Sequence, residues 1–297
     1  MPALLEWYAR HGRKHLPWRA GRDAYRVVVS EFMLQQTQVE RVLPIFEAFL
    51  ARFPDLAALA AAPTAEVVRA WRGLGYNSRA IRLQRLARTV VAEHGGEVPL
   101  DEAALRALPG VGPYTVCAIR AFAFDCDEVA ADTNVRRVVH RVLHGVEYPP
   151  KVPARELDAA ARASIPAGRG HDWNSAMMDL GATVCTARAP KCLVCPLRET
   201  CVAAPLDAQN LSLLAQRYAR KRSPQERIPF ERTTRFVRGR IVDRLRELPP
   251  NQAISLLDLH HELHPIVGRD EPSFKVIVER LVRDGVIEDG ERGISLA

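Results

Sequence analysis

LPGVGPYTVCAIRAFAF, residues 108 to 124, closes one apolar helical run and opens another, with Gly110 and Gly112 between them. Two glycines leave no side chain over the turn, so backbone N–H groups at the next helix N-terminus stand open to a phosphate. The stretch predicts a helix-hairpin-helix in which Gly110, Val111 and Gly112 grip a DNA backbone without reading its sequence. A purely structural tight turn is the competing reading. Further along, "VAADTNVRRVVHRV" sets an acid, Asp132, at a helix start with Arg136 and Arg137 close behind. An N-cap aspartate is common and on its own explains that acid.

The composition sets outer bounds. At 297 residues with 47% hydrophobic content the chain has ample material for a core, divided over one large or two to three small domains. A net charge of +7 suits a polyanionic partner, and equally a solvated basic surface. No stretch reaches the ~18 apolar residues of a membrane span. The N-terminal MPALLEWYARHGRKHLPWR lacks an apolar run of signal-peptide length, which predicts a cytoplasmic protein with reduced thiols, nucleoid-associated if bacterial. Apolar residues recur three and four apart in stretches such as Thr64 to Trp71 and Ala80 to Glu93, and strand-like alternation is scarce before residue 230. The pattern is mainly helical. Residues 206–230 turn basic, polar and proline-broken and read as a linker, and 231–297 read as three short helices and a hairpin, the order of a winged helix.

"CTARAPKCLVCPLRETC", residues 185 to 201, gathers Cys185, Cys192, Cys195 and Cys201 in one short loop. A reducing compartment argues against disulfides. Structural zinc usually takes two close pairs, whereas only Cys192 and Cys195 form one here. An irregular, proline-bearing loop that supplies four thiolates suits an iron–sulfur cluster best, with zinc the rival reading. Cys117 and Cys126 lie in apolar helical context and read as ordinary core cysteines.

Together the hairpin, the aspartate and the four-cysteine loop resemble the helix-hairpin-helix DNA glycosylases that carry a [4Fe–4S] cluster, over residues 1 to about 205. Within that superfamily "LPWR" (Leu16 to Arg19), "VSEFMLQQTQV" (Val29 to Val39), "GLGY" (Gly73 to Tyr76) and "WNSAMMDLGATVC" (Trp173 to Cys185) are similar to the MutY-type adenine glycosylases. The resemblance implies a two-lobed fold: a cluster lobe from 1–19 and 128–205, a six-helix barrel over 20–127 carrying the hairpin at 108–118, then the linker and the winged-helix-like domain. It implies a monomer acting on duplex DNA with adenine mispaired to 8-oxoguanine or guanine. It also implies a [4Fe–4S] cofactor on Cys185, Cys192, Cys195 and Cys201.

The same resemblance assigns the chemistry. Breaking an N-glycosidic bond calls for an acid and a carboxylate around an oxocarbenium-like sugar, and Glu31 and Asp132 match those two, with Asn134 orienting Asp132. The apolar surroundings of Glu31 in "YRVVVSEFML" suit a proton donor, because burial favours the neutral carboxyl. Tyr114 stands where strand-cleaving relatives of the endonuclease III type carry the lysine that forms an imine, which implies base release alone. Base flipping assigns Gln36, Tyr76 and Leu34 to the vacated stack and Trp18, Arg19 and Ser175 to the base pocket; core packing is the rival for Leu34 and Tyr76. Thr133 and Ser175 depart from the usual pattern, and residues 206–297 are too short for the β-rich domain that reads the opposite base in most such enzymes. The alternatives are a thymine or uracil mismatch glycosylase or an endonuclease III-like lyase of the same fold, and a non-catalytic DNA-binding regulator.

Overall fold

The computed structural model describes residues 2–146, 152–218 and 228–297. The expected helical character holds: fifteen α-helices and one two-stranded antiparallel sheet occur among the described residues. No helix among them is long and apolar enough to cross a membrane. Contacts divide the chain into two units, each discontinuous in sequence. One comprises Met1–Val28, Leu100–Ala107 and Val111–Lys221; the other comprises Val29–Pro99, Leu108–Gly110 and Arg222–Ala297. The C-terminal domain is therefore grouped with the middle of the chain. A helix, Ala208–Tyr218, also stands in the stretch that composition reads as linker; 219–227 lie outside the described residues.

In the first unit, the core is built on the helices Thr133–His144 and Gly170–Thr183, whose buried Val135, Val138, Val139, Trp173, Met177 and Leu180 pack with Leu4 and Tyr8 of the N-terminal helix Pro2–His11. Glycine permits the closest approach: a Cβ on Gly170 would lie 2.0 Å from the Cys126 carbonyl oxygen. The N-terminal segment is clamped by a buried carboxylate, Asp179. It accepts from the backbone N–H and Nε of Arg13, both at 2.8 Å, and from both terminal nitrogens of Arg19 at 2.7 and 3.0 Å. Burial alone would raise its pKa, but the bonds and charges of Arg19 and Arg13 outweigh it and hold the carboxyl below the usual range.

In the second unit, the C-terminal helices Thr234–Glu247, Leu256–Val267 and Glu271–Arg283 precede the hairpin Ile287–Gly290 and Gly293–Leu296, as a winged helix requires. Side-chain caps start two of them, Thr233 accepting from Phe236 N–H and Ser255 from Asp258 N–H. Gly293 has φ +109°, and a Cβ there would meet the Ile254 carbonyl oxygen at 2.6 Å. Its bareness lets Ile254 pair with Ile294 beside the hairpin. The core of this domain is continuous with Val68 and Ile81 of the helices Thr64–Ala70 and Ser78–Glu93. Arg246 pins the junction, donating to the Val68 carbonyl at 2.9 Å and to Asn77 Oδ1 at 2.9 Å.

A depressed folded-state carboxyl stabilises the fold fully above its unfolded pKa of about 3.9, and the contribution is lost as pH falls through the folded value. Asp179→Asn is therefore expected to cost about 3 kcal/mol at neutral pH. In urea titrations the gap to wild type should narrow once pH drops below about 4.

Candidate active site and cysteine loop

Asp132 is the N-cap of helix Thr133–His144, with one carboxylate oxygen accepting from Val135 N–H at 2.7 Å and the other from Asn134 Nδ2 at 2.8 Å. Asn134 is oriented in turn by Arg137, whose guanidinium donates to Asn134 Oδ1 at 2.8 Å, to the Gly181 carbonyl at 2.7 Å and to the Cys185 carbonyl at 2.9 Å. The amide cannot flip without setting its NH2 against a guanidinium. Gly181 makes room for this array: a Cβ there would lie 2.7 Å from Asn134 Cβ. From the other side, fully buried Asn174 accepts from Ala130 N–H at 2.8 Å and donates to the Glu128 and Gly170 carbonyls at 2.7 and 2.8 Å, holding the segment that enters Asp132.

The same helix reaches the cysteine loop one turn later. Buried Arg141 donates to the Thr186 and Ala187 carbonyls at 2.7 and 3.0 Å and lies 3.5 Å from Cys185 Sγ. Val202 and Ala203 N–H close the loop on the Val142 and Arg141 carbonyls. Cys185, Cys192, Cys195 and Cys201 line one cavity with Val138, Leu180 and Leu197. Burial pushes the Cys195 thiol up to about 11, and the nearby Cys185, Cys201 and Cys192 push it the same way. Cys201 is raised for the same first reason. Four cysteine sulfurs converging on one apolar cavity form a donor set of the kind that can hold a metal cluster. Cys117 and Cys126 lie outside this cavity lining.

In the second unit, Glu31 is buried at 9% exposure among Val28, Val29, Phe32 and Met33 on helix Ala24–Leu34. The loops that follow Leu34 and Gly73 are joined by one cation. Buried Arg79 donates to the carbonyls of Phe32 and Met33 at 2.9 Å each, to Gln35, to Thr37 Oγ1 at 3.0 Å, and to the Leu74 and Gly75 carbonyls at 3.1 and 3.3 Å. Burial lowers its pKa to about 10, which leaves it charged at neutral pH. Each loop it holds carries a non-glycine residue in left-handed backbone, Gln36 at φ 54° and Tyr76 at φ 47°, and both side chains are exposed. Such conformations persist only where the surroundings enforce them, and they concentrate at functional sites.

The hairpin glycines have separate duties. Gly110 adopts φ +81°, and a Cβ there would lie 3.0 Å from the Phe32 ring. Gly112 is the extended N-cap of helix Pro113–Phe124, no side chain caps that helix start, and Tyr114 in its first turn is exposed. Trp18 and Leu34 are half-buried, whereas Ser175 is fully buried with no hydrogen-bond partner for its hydroxyl among the described residues. Arg19 is committed to Asp179, so it acts on the Trp18 turn as an anchor. Reasoning from sequence missed Arg79, Arg137, Arg141, Asn174 and Asp179. Only the placement of Arg137 and Arg141 one and two turns after Asp132, on one helical face, offered a signal.

The family model for the HhH-GPD superfamily base excision DNA repair protein matches residues 29–160. The adenine DNA glycosylase of Mycolicibacterium smegmatis is 40% identical over 98% of this chain and 93% of its own. That of Mycobacterium tuberculosis is 41% identical over 84% of this chain and 80% of its own. Among solved structures, a thermostable thymine-DNA glycosylase is similar with a TM-score of 0.63 and 30% identity, covering 68% of this chain and 93% of that one. Since the M. smegmatis relative aligns along almost the whole sequence and bears the adenine activity in its name, this chain belongs to the adenine DNA glycosylases of the helix-hairpin-helix base excision repair superfamily.

Proposed function

We propose that the adenine this enzyme removes stands opposite 8-oxoguanine or guanine in duplex DNA, that it is flipped from the stack and released by hydrolysis, and that the strand is left uncut. The observation that carries this reading is the clamp on Asp132, whose two oxygens face donors from Val135 and Asn134. A carboxylate held in that way is prearranged to face a cationic sugar. In the proposed sequence Glu31 gives its proton to a ring nitrogen of adenine, the bond from the sugar carbon to the base breaks, and the base leaves with the bonding pair. Asp132 stabilises the resulting oxocarbenium until water adds to the sugar carbon and yields its proton to a carboxylate, the net transfer restoring the Glu31 acid. The two acids belong to different units of the chain. Gln36 and Tyr76 would fill the space the nucleotide vacates, the uncapped helix start after Gly112 would hold a phosphate, and Tyr114, a phenol, can form no imine with the sugar.

The residues fit a [4Fe–4S] cluster held by Cys185, Cys192, Cys195 and Cys201. Bound there, it supplies the positive centre that four thiolates need. What the chain itself contributes is the hold on both sides of the catalytic helix: Arg141 fastens the loop, and Arg137 passes the position of the Cys185 carbonyl to Asn134 and so to Asp132.

Three measurements follow. Glu31→Gln and Asp132→Asn should each nearly abolish adenine release in single-turnover assays, with nicks in wild-type product appearing only after alkali. Borohydride trapping at a yield comparable to product, or release of thymine with adenine untouched, would overturn the reading. Arg137→Met should lower the rate about 10- to 100-fold while the protein still melts cooperatively and binds duplex; a wild-type rate would show that Asn134 is held by other means. Freshly purified enzyme should contain about four iron atoms per chain, and stoichiometric zinc without iron would exclude the cluster.

A further inference from the structure

The helix Thr234–Glu247 carries Arg235, Arg238, Arg240, Arg244 and Arg246. Four of them face carboxylates: Arg238 pairs with Asp284, Arg240 and Arg246 with Asp243, and Arg244 with Glu262. Arg235 forms no ion pair among the described residues and is exposed. Its guanidinium carbon lies 4.1 Å from the centroid of the Tyr76 ring. Arg246 fixes this pairing from behind by its bond to Asn77, the neighbour of Tyr76. A guanidinium stacked on an aromatic face keeps its N–H edge free for a planar acceptor.

The elements that winged helices commonly press into DNA are ill suited to it here. The exposed face of helix Glu271–Arg283 offers Glu271 and Glu279 against Lys275, Arg280 and Arg283, and the hairpin exposes Glu288, Asp289 and Glu291 against Arg292, so acids slightly outnumber bases over the two elements. Phosphates gain nothing from such a surface. We propose that the C-terminal domain meets DNA through Arg235 at the head of its first helix, alongside Tyr76, and not through its third helix and hairpin. The ligand chemistry is a planar oxygen or nitrogen acceptor on the duplex next to the displaced nucleotide, either a phosphate or the O6/N7 edge of a guanine. The proposal rests on Tyr76 entering the DNA.

The test uses the full-length enzyme and a duplex carrying a non-cleavable adenine analogue opposite 8-oxoguanine or guanine. Affinity is measured across a salt series for Arg235→Ala, Tyr76→Ala, the double variant and the triple variant Lys275→Ala/Arg280→Ala/Arg292→Ala, all first checked for wild-type melting. Arg235→Ala should weaken binding about tenfold, in line with one bidentate contact, and the triple variant should bind like wild type. If the acceptor is a phosphate, the salt slope drops by about one and the loss is equal opposite both partners. If it is a guanine edge, the slope holds and the ratio between partners changes. The Arg235→Ala loss should shrink in the Tyr76→Ala background. Unchanged affinity, slope and ratio for Arg235→Ala, or a larger loss from the triple variant, overturns the proposal. A defect in Tyr76→Ala with none in Arg235→Ala leaves the wedge standing and sinks only Arg235. The reverse pattern retains the Arg235 contact and removes the wedge.

Discussion

One guanidinium, that of Arg137, links the cysteine loop through Asn134 to the Asp132 carboxylate. It satisfies two backbone carbonyls, Cys185 and Gly181, and one side-chain amide, Asn134. Each bond uses a different direction of the planar fork, so the three acceptors are held at fixed relative positions. The position of Asp132 is thereby tied to a carbonyl in the cysteine loop. The cysteine loop is thereby a fixed reference for the helix that Asp132 caps.

The second unit solves an analogous problem with Arg79. Two loops bring Gln36 and Tyr76 to the surface in backbone conformations that cost of order 1–3 kcal/mol each. Six acceptors on one buried cation offset that cost and leave the exposed side chains preset rather than ordered on contact. Preset residues lose less entropy when they bind. In each unit one arginine fixes the neighbourhood of candidate site residues, Asp132 in the first and Gln36 with Tyr76 in the second.

What was legible in the sequence has a physical pattern. The helix-hairpin-helix was readable because Gly110 needs its positive φ and its bare Cα within a few residues of Gly112 and Pro113. The convergence of the four cysteines was readable because they sit together in one short irregular loop. Asp132 as a helix start was readable because capping is local. Arg79, Arg137, Asn174 and Asp179 left no such trace, since most of their partners are carbonyls or charges far away in the chain, as with Arg137 and Cys185. A backbone carbonyl has no side-chain identity, so the sequence cannot announce that it is needed. Arg19, which a motif marked for the base pocket, gives its guanidinium to Asp179, a partner 160 residues away that the motif does not announce. The stretch read as a linker contains the helix Ala208–Tyr218, whose AQNLSLLAQRY spaces its leucines to suit one helical face.

The discontinuity of the two units bears on how the chain emerges from the ribosome. The unit with Asp132 and the cysteines is complete once Lys221 has been made, whereas the unit with Glu31 waits for the last residues, because Val68 and Ile81 share their core with strands ending at Leu296. At roughly 5–20 residues per second of synthesis, the nascent enzyme spends several seconds with one half able to close while the other exposes part of an unfinished core. During that interval residues 29–99 hold apolar surface without its covering, the condition under which chaperones engage nascent chains.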